Sequence, residues 1–186
     1  FDGAVLAVAP YHAAALLPPD TPANIQTAYA DMQYHAITTV YLRYAAPLNL
    51  PAAMTGLANG TAQWLIGRAA LGGSAYEVAA VISVSDIVGG FAPDEWVARV
   101  NADVQTLCPD AGAPVAARVI TEKRATTAAV AHRRLPDLAW LHHQHIYPAG
   151  DYLHPRYPAT LEAAVQTGQS AAALCLNEWA LSKRTA

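Results

Sequence analysis

Apolar and β-branched residues fall into short runs separated by proline and glycine, a pattern that predicts a mixed α/β protein rather than an all-helical or all-strand one. Residues 3–10 place Val5, Leu6 and Val8 in a run ended by Pro10, as in a short buried strand. Tyr11 to Leu17 reads as a short helix, and the prolines at 18, 19 and 22 mark a change of direction. From His35 to Tyr44, the residues Ile37, Thr38, Thr39, Val40 and Tyr41 favour a pleated strand. Further strands are predicted at Gln63–Gly67 and Tyr76–Ser83, with Gly72 and Gly73 between them, in the rhythm of an antiparallel meander with one face open to a ligand. Pro93, Asp94 and Glu95 start a helix to about Leu107, striped by Trp96, Val97, Val100, Val104 and Leu107. Val115–Thr121 and Leu141–Ala149 read as strands, and Pro158 to about Leu181 as the longest helix. Its predicted packing face comprises Leu161, Ala164, Val165, Gly168, Ala172 and Cys175.

Composition sharpens this picture. The 186 residues are 54% hydrophobic and 13% charged, with 11 Lys plus Arg against 14 Asp plus Glu, which excludes a disordered segment and a polybasic nucleic-acid arm. No nucleic-acid partner is expected. Forty-two residues are alanine, which let helices and sheets approach closely. Cys108 and Cys175 form no pair motif, so neither a disulfide framework nor a thiolate zinc site is supported, and a reducing cytoplasm fits. Residues 44–67 carry no charge, yet Pro47, Pro51, Gly56, Asn59, Gly60 and Gln63 interrupt any membrane-spanning helix. Phe1 and Asp2 do not resemble the start of a signal peptide, and the chain reads as a piece of a longer one.

The most informative stretch is AGDYLHPRYPATLEAAVQTG, residues 149–168: a strand end, a glycine, a carboxylate, a proline-rich turn and a helix start. Gly150 permits close backbone approach to a ligand, and Asp151 offers an acceptor to ribityl or ribose hydroxyls. Pro158 presets the dihedral for helix entry. The first amides of the helix, around Ala159, Thr160, Leu161 and Glu162, lack intrahelical partners and attract electron-rich oxygen.

This stretch resembles the C-terminal flavin-binding motif of the flavin amine oxidase and phytoene desaturase superfamily. TVYLRY at 39–44, Gln63 with Trp64, VIS at 81–83, EKRAT at 122–126 and YPATLEAAV at 157–165 narrow the resemblance to the hydroxysqualene dehydroxylase family, also described as squalene-associated FAD-dependent desaturases. The likeness runs in order over most of the chain. It departs in three places: Ala163 replaces a glycine, Gly67 replaces an aspartate before Arg68, and His142, His143, Gln144 and His145 replace a more apolar strand. The G-x-G-x-x-G turn that seats the FAD pyrophosphate is absent.

The resemblance implies the C-terminal portion of an FAD-dependent oxidoreductase, with residues 1–17 and 122–186 in a Rossmann-type FAD-binding domain and 18–121 in a substrate-binding domain. It implies reductive dehydroxylation of hydroxysqualene to squalene in hopanoid biosynthesis, with a phytoene-desaturase-like or amine-oxidase-like flavoenzyme as the alternative. Gly150, Asp151, Pro158, Ala159, Thr160 and Leu161 become candidate cofactor residues. Tyr41, Met54, Trp64, Leu65 and Arg68 become candidates for lining an isoprenoid site. The missing N-terminal half of the protein is then a partner, peripheral membrane contact is compatible with a lipid-soluble substrate, and the chain by itself is expected to be inactive and to hold FAD weakly or not at all.

Two readings of other classes stand beside this one. A noncatalytic module for apolar ligands needs only the open sheet face. A metal-dependent hydrolase would use His142, His143, His145 and His154, but on a strand only His143 and His145 share a face, and exposed polar positions account for all four. No metal is assigned, and Lys123, Arg124, Arg133 and Arg134 read as a solvated basic segment or as neighbours of FAD phosphates.

Overall fold

The computed structural model describes residues 2–185, with side chains described to residue 180. The chain forms two compact units: Tyr34–Thr126, and the residues up to Gln33 together with those from Thr127 onward. These divisions fall later than the expected ones at 17/18 and 121/122. Pro18–Pro22 is followed by a helix not foreseen in the sequence, Ala23–Ala30, which buries Ile25, Ala28 and Tyr29 within the unit that holds the N-terminal strand. The proline turn is therefore internal to that unit, with Thr21 Oγ1 donating to Pro18 O at 2.7 Å. At the second division, the strand predicted at 115–121 continues unbroken as Ala116–Thr127 and absorbs the segment EKRAT.

The continuous unit is built on a sheet of β2 (Tyr34–Arg43), β3 (Met54–Gly56), β4 (Trp64–Gly67), β5 (Glu77–Ser83) and β6 (Ala116–Thr127), in the order β3-β4-β5-β2-β6. The meander holds for β3, β4 and β5, whose pairings are antiparallel. β2 lies on the far side of β5, because its length lets it pair from Ile37↔Ser83 to Arg43↔Glu77, a longer contact than four-residue β4 offers.

Period-two alternation sorts the sheet residues between two faces. Val40, Leu42, Leu65, Val78, Ala80 and Ile82 point to one face and are covered by Trp96, Val100 and Val104 of the helix Pro93–Leu107. Asp103 of that helix is buried and accepts from the amides of Thr61 and Ala62 at 3.1 and 2.8 Å, fixing the loop that enters β4. On the same face, Thr38 Oγ1 donates to Ser85 Oγ at 2.9 Å and lies 2.8 Å from Thr121 Oγ1.

After β5, the one-turn helix Ser85–Val88 brings Asp86 back to the start of β2. Its carboxylate bonds His35 Nδ1 at 3.1 Å and accepts from the Ala36 amide at 2.8 Å. The bond from His35, and then that from the Ala36 amide, hold the Asp86 carboxyl below its ordinary value of 3.8. A carboxyl whose pKa is depressed by folding adds stability above its unfolded pKa and loses it as pH falls through the folded one. Asp86→Asn is therefore expected to lower the melting temperature at pH 6, with the difference from wild type closing below about pH 4. Thermal melts of the two proteins between pH 2.5 and 7 check this, and a difference independent of pH would contradict it.

The second unit begins with β1 (Ala4–Leu6), which pairs in parallel with β7 (Ile146–Pro148). β1 is shorter than the predicted run at 3–10, and Val5 is exposed rather than buried, since within this unit the strand has one neighbour. The short helix Pro10–Ala13 and a 3-10 turn, Ala14–Leu16, follow at the predicted place. In order of the chain, the helices are α1 (Pro10–Ala13), α2 (Ala23–Ala30), α3 (Ser85–Val88), α4 (Pro93–Leu107), α5 (Leu138–His143) and α6 (Leu161–Thr185).

α5 corrects the strand predicted at Leu141–Ala149. Asp137 caps it by accepting from the amides of Ala139 and Trp140, and this cap starts a helical turn where apolar content alone reads as strand. Only Ile146–Pro148 remains extended. Among the described residues, no helix is long and apolar enough to cross a membrane.

Candidate functional site

The segment from β7 into α6 holds the predicted junction. After β7, Gly150 leads into a 3-10 turn, Asp151–Leu153, that packs on α6. The tie is Thr167. Gly150 N donates to Thr167 Oγ1 at 3.0 Å, which holds the peptide before the glycine to α6, while the one proton of that hydroxyl has Ala163 O at 2.9 Å, Gly150 O at 3.0 Å and Ala164 O at 3.1 Å within reach. Sequence reading missed Thr167 because nothing local links residues 17 apart.

Gly150 also has a close neighbour within its own chain. A side-chain carbon built on it would fall on the ring of Tyr152, which is 1% exposed. That ring meets Tyr29 edge-on at 6.2 Å between centroids, and the two hydroxyls are 3.4 Å apart. Burial, outweighing the hydrogen bond to Tyr152, raises the Tyr29 pKa. Arg133 donates to Tyr152 O at 2.8 Å and to Thr127 Oγ1 at 3.2 Å, so this arginine braces the turn.

α6 begins at Leu161, three residues later than predicted, and Pro158 is not its first residue. Ala159 adopts φ of 61°, a left-handed conformation that turns the chain before the helix, so Pro158 presets the approach rather than the first turn. Thr160 is the cap: its hydroxyl donates to Tyr157 O at 2.8 Å and accepts from the Ala163 amide at 3.1 Å. Its side chain thus satisfies one amide of the first turn. Leu161 beside it is 89% exposed, so the helix end is not roofed by that side chain.

The packing face of α6 also differs from the predicted stripe. Ala163 and Ala171 are buried, Thr167 and Cys175 half-buried, while Leu161, Val165 and Ala172 are exposed. A four-residue step carries the contact face along 163, 167, 171 and 175. Ala163, at the position where the resembled family has glycine, is fully buried. Tyr147 of β7 packs with Ala149, Ala171 and Cys175 and donates to Glu178 Oε2 at 2.6 Å. Burial, then the Glu178 bond, pushes the Tyr147 pKa up to about 12, which keeps the phenol protonated as a donor.

In the sheet unit, Tyr41, Met54 and Trp64 share the face opposite α4. Cross-strand neighbours Thr39, Val81 and Trp64 form one row, and Tyr41, Ala79, Ile66 and Met54 the next. Met54 is 52% and Trp64 43% exposed. A cavity of about 280 Å³ opens beside Tyr41, with Arg43, Glu77 and Arg118 on its wall. Leu65 departs from this group: it is 0% exposed and lies in the core under α4, the opposite side from Trp64. Arg68 sits in a 3-10 turn after β4 and lines a different recess, of about 140 Å³, with Leu48, Asn49 and Leu50.

The histidines are not arranged on a strand. His142 and His143 end α5, His142 stacks on Tyr147 at 5.5 Å, and His145 has φ of 55° in the turn that follows. Among the described residues, no group of three His, Cys, Asp or Glu is placed to hold a metal ion.

Residues 1–176 match the model of the flavin-containing amine oxidoreductases. The chain belongs to this family. Two hydroxysqualene dehydroxylases are related to it: that of Rhodopseudomonas palustris is 30% identical over 94% of this chain, and that of Zymomonas mobilis is 30% identical over 78%. This chain spans 38% and 34% of their respective lengths. Among solved structures, a putrescine oxidase bound to putrescine superposes with a TM-score of 0.61 at 17% identity, over 91% of this chain and 42% of that one. A putative protoporphyrinogen oxidase from Exiguobacterium gives 0.60 at 13% identity, over 95% and 41%. These likenesses establish the mixed α/β fold of a flavin amine oxidoreductase for a chain that matches part of such proteins.

Proposed function

We propose that this chain is the C-terminal portion of an FAD-dependent oxidoreductase that removes the hydroxyl of hydroxysqualene reductively to give squalene, a step toward hopanoids. The observation that carries the cofactor half of this reading is the hydrogen bond from Gly150 N to Thr167, which ties the turn carrying Asp151 to α6. Such a tie suits a flavin: it joins a carboxylate acceptor for a sugar-alcohol chain to the helix whose end favours an electron-rich ring edge. Asp151 would hold ribityl or ribose hydroxyls, and the amides following Thr160 would face the pyrimidine edge. FAD, when bound, supplies the hydride chemistry. Thr167 and Thr160 orient the turn and the helix end, and Tyr152 fills the space behind Gly150.

The substrate half rests on the sheet. A triterpene alcohol carries one hydroxyl and otherwise hydrocarbon, so recognition has to come from apolar area at about 25 cal/mol per Å². Thr39, Tyr41, Met54, Trp64, Ile66 and Val81 supply such a surface. In this reading the sheet unit is the substrate domain and the β1–β7 unit the FAD domain.

The full-length protein tests both halves. It is expected to purify with bound FAD and, under reducing conditions, to convert hydroxysqualene to squalene. Phytoene desaturation under oxidising conditions would replace the reaction while keeping the cofactor. A full-length protein without flavin would overturn the reading altogether.

A further inference from the structure

Arg43, Glu77 and Arg118 line the cavity of about 280 Å³ beside Tyr41, at one end of the open sheet face. Arg43 lies two residues along β2 from Tyr41 and so shares its face, and Glu77 is its partner across the strand pair. β6 closes the other side: Val115 N donates to Arg43 O at 2.7 Å, which brings Arg118 to the same wall. Opposite charges facing each other across strands ordinarily pair. Among the described residues, however, no ion pair or side-chain hydrogen bond involves any of these three groups. The cavity therefore presents two unpaired guanidinium groups and one carboxylate, a net charge of one positive, beside the Tyr41 ring and the small Ala116 and Ala117. From Tyr41 the apolar row runs past Ala79 to Ile66 and Met54 across four strands, a span of about 14 Å at the usual strand spacing. An extended chain of about twelve carbons has that reach.

We propose that this end of the sheet binds a long-chain fatty carboxylate, its head between Arg43 and Arg118 and its hydrocarbon laid along the row of Tyr41, Ile66 and Met54. Charge selects the head. A carboxylate neutralises the site, and its two oxygens suit the planar fork of arginine. A phosphate monoester carries nearly two charges above neutral pH and would leave an excess beside Glu77, so Glu77 discriminates against dianions. An alcohol engages neither guanidinium as an ion. The site stands on the sheet geometry alone; it goes beyond the proposed reaction and does not rest on it.

Calorimetric titration of the full-length protein at pH 8 with dodecanoate, dodecanol and dodecyl phosphate tests the site. Dodecanoate is expected to bind more tightly than dodecyl phosphate. Arg118→Gln, an exposed position on the edge strand β6, should weaken dodecanoate about fivefold, the scale of a partly exposed ion pair, and leave dodecanol unchanged. Arg43→Gln should act in the same sense, and Glu77→Gln should strengthen dodecyl phosphate more than dodecanoate. No binding of dodecanoate, equal losses for dodecanoate and dodecanol in Arg118→Gln, or a wild-type preference for dodecyl phosphate would each overturn the inference. A full-length protein that takes up dodecanoate with the expected arginine dependence, yet does not convert hydroxysqualene, would leave this site standing and remove the proposed reaction instead.

Discussion

Replacing Gly150 with alanine is expected to destabilise the protein by about 1–3 kcal/mol, the usual cost of forcing a methyl group into a packed interior. The added carbon falls on the Tyr152 ring, which has little freedom to withdraw: its edge meets Tyr29, and the Tyr152 carbonyl is held by Arg133. Backbone strain plays no part, because φ of 166° at Gly150 is extended conformation open to any residue. The origin of the cost can be isolated with Tyr152→Leu. That change alone destabilises, but in the double variant the penalty for alanine should largely vanish, since residues in contact do not act additively. Denaturant melts of the four proteins give the coupling. Additive losses would mean that the methyl meets something other than the ring. A glycine needed only for ligand approach would behave differently again, with FAD lost and the stability of the FAD-free protein unchanged.

The position of Gly150 illustrates what local sequence carries. AGD followed by PATLE marks a strand end and a helix start, and the structure has both. The expected Pro93–Leu107 helix is likewise present, and the strand expected over residues 35–44 is found at Tyr34–Arg43, because a proline with two acids, or a run of β-branched residues, decides conformation within a few residues. What escaped reading depends on distance or on a cap. Thr167 reaches Gly150 across 17 residues, and the Tyr152 ring lies where a side chain at 150 would go. Asp137 turns an apolar stretch into a helix, and Thr160 with Ala159 delays α6 beyond Pro158. The apolar face of α6 was misplaced because its exposed side is nearly as hydrophobic as its packed one: Leu161, Val165, Leu174, Leu176 and Trp179 are all exposed, whereas small Ala163 and Ala171 make the contact. Alanine-rich helices give a weak amphipathic signal, and close approach rather than bulk selects the packed side.

Trp64 and Leu65 provide the sharpest separation between binding and folding, because consecutive strand residues face opposite ways. Trp64 stands on the open face, its ring against Gly56, flanked by Val81 across the strand pair. Leu65 is sealed between the sheet and the Trp96–Val100–Val104 stripe of α4. Under the proposed function, Trp64→Ala in the full-length protein is expected to raise the KM for hydroxysqualene about 10- to 100-fold, corresponding to roughly 1.4–2.8 kcal/mol of apolar contact. Its effect on the denaturation midpoint should be slight, since the ring is already partly in water. Leu65→Ala should do the reverse: a loss of about 2–5 kcal/mol in stability from the cavity left in the core, with KM nearly unchanged in the fraction that remains folded. Steady-state kinetics paired with urea melts on both variants make the comparison. If Trp64→Ala leaves KM unchanged, the exposed sheet face is not where the isoprenoid lies. If Leu65→Ala changes KM as strongly as Trp64→Ala, alternation along β4 does not divide recognition from folding, and the apolar face loses its standing as the substrate surface.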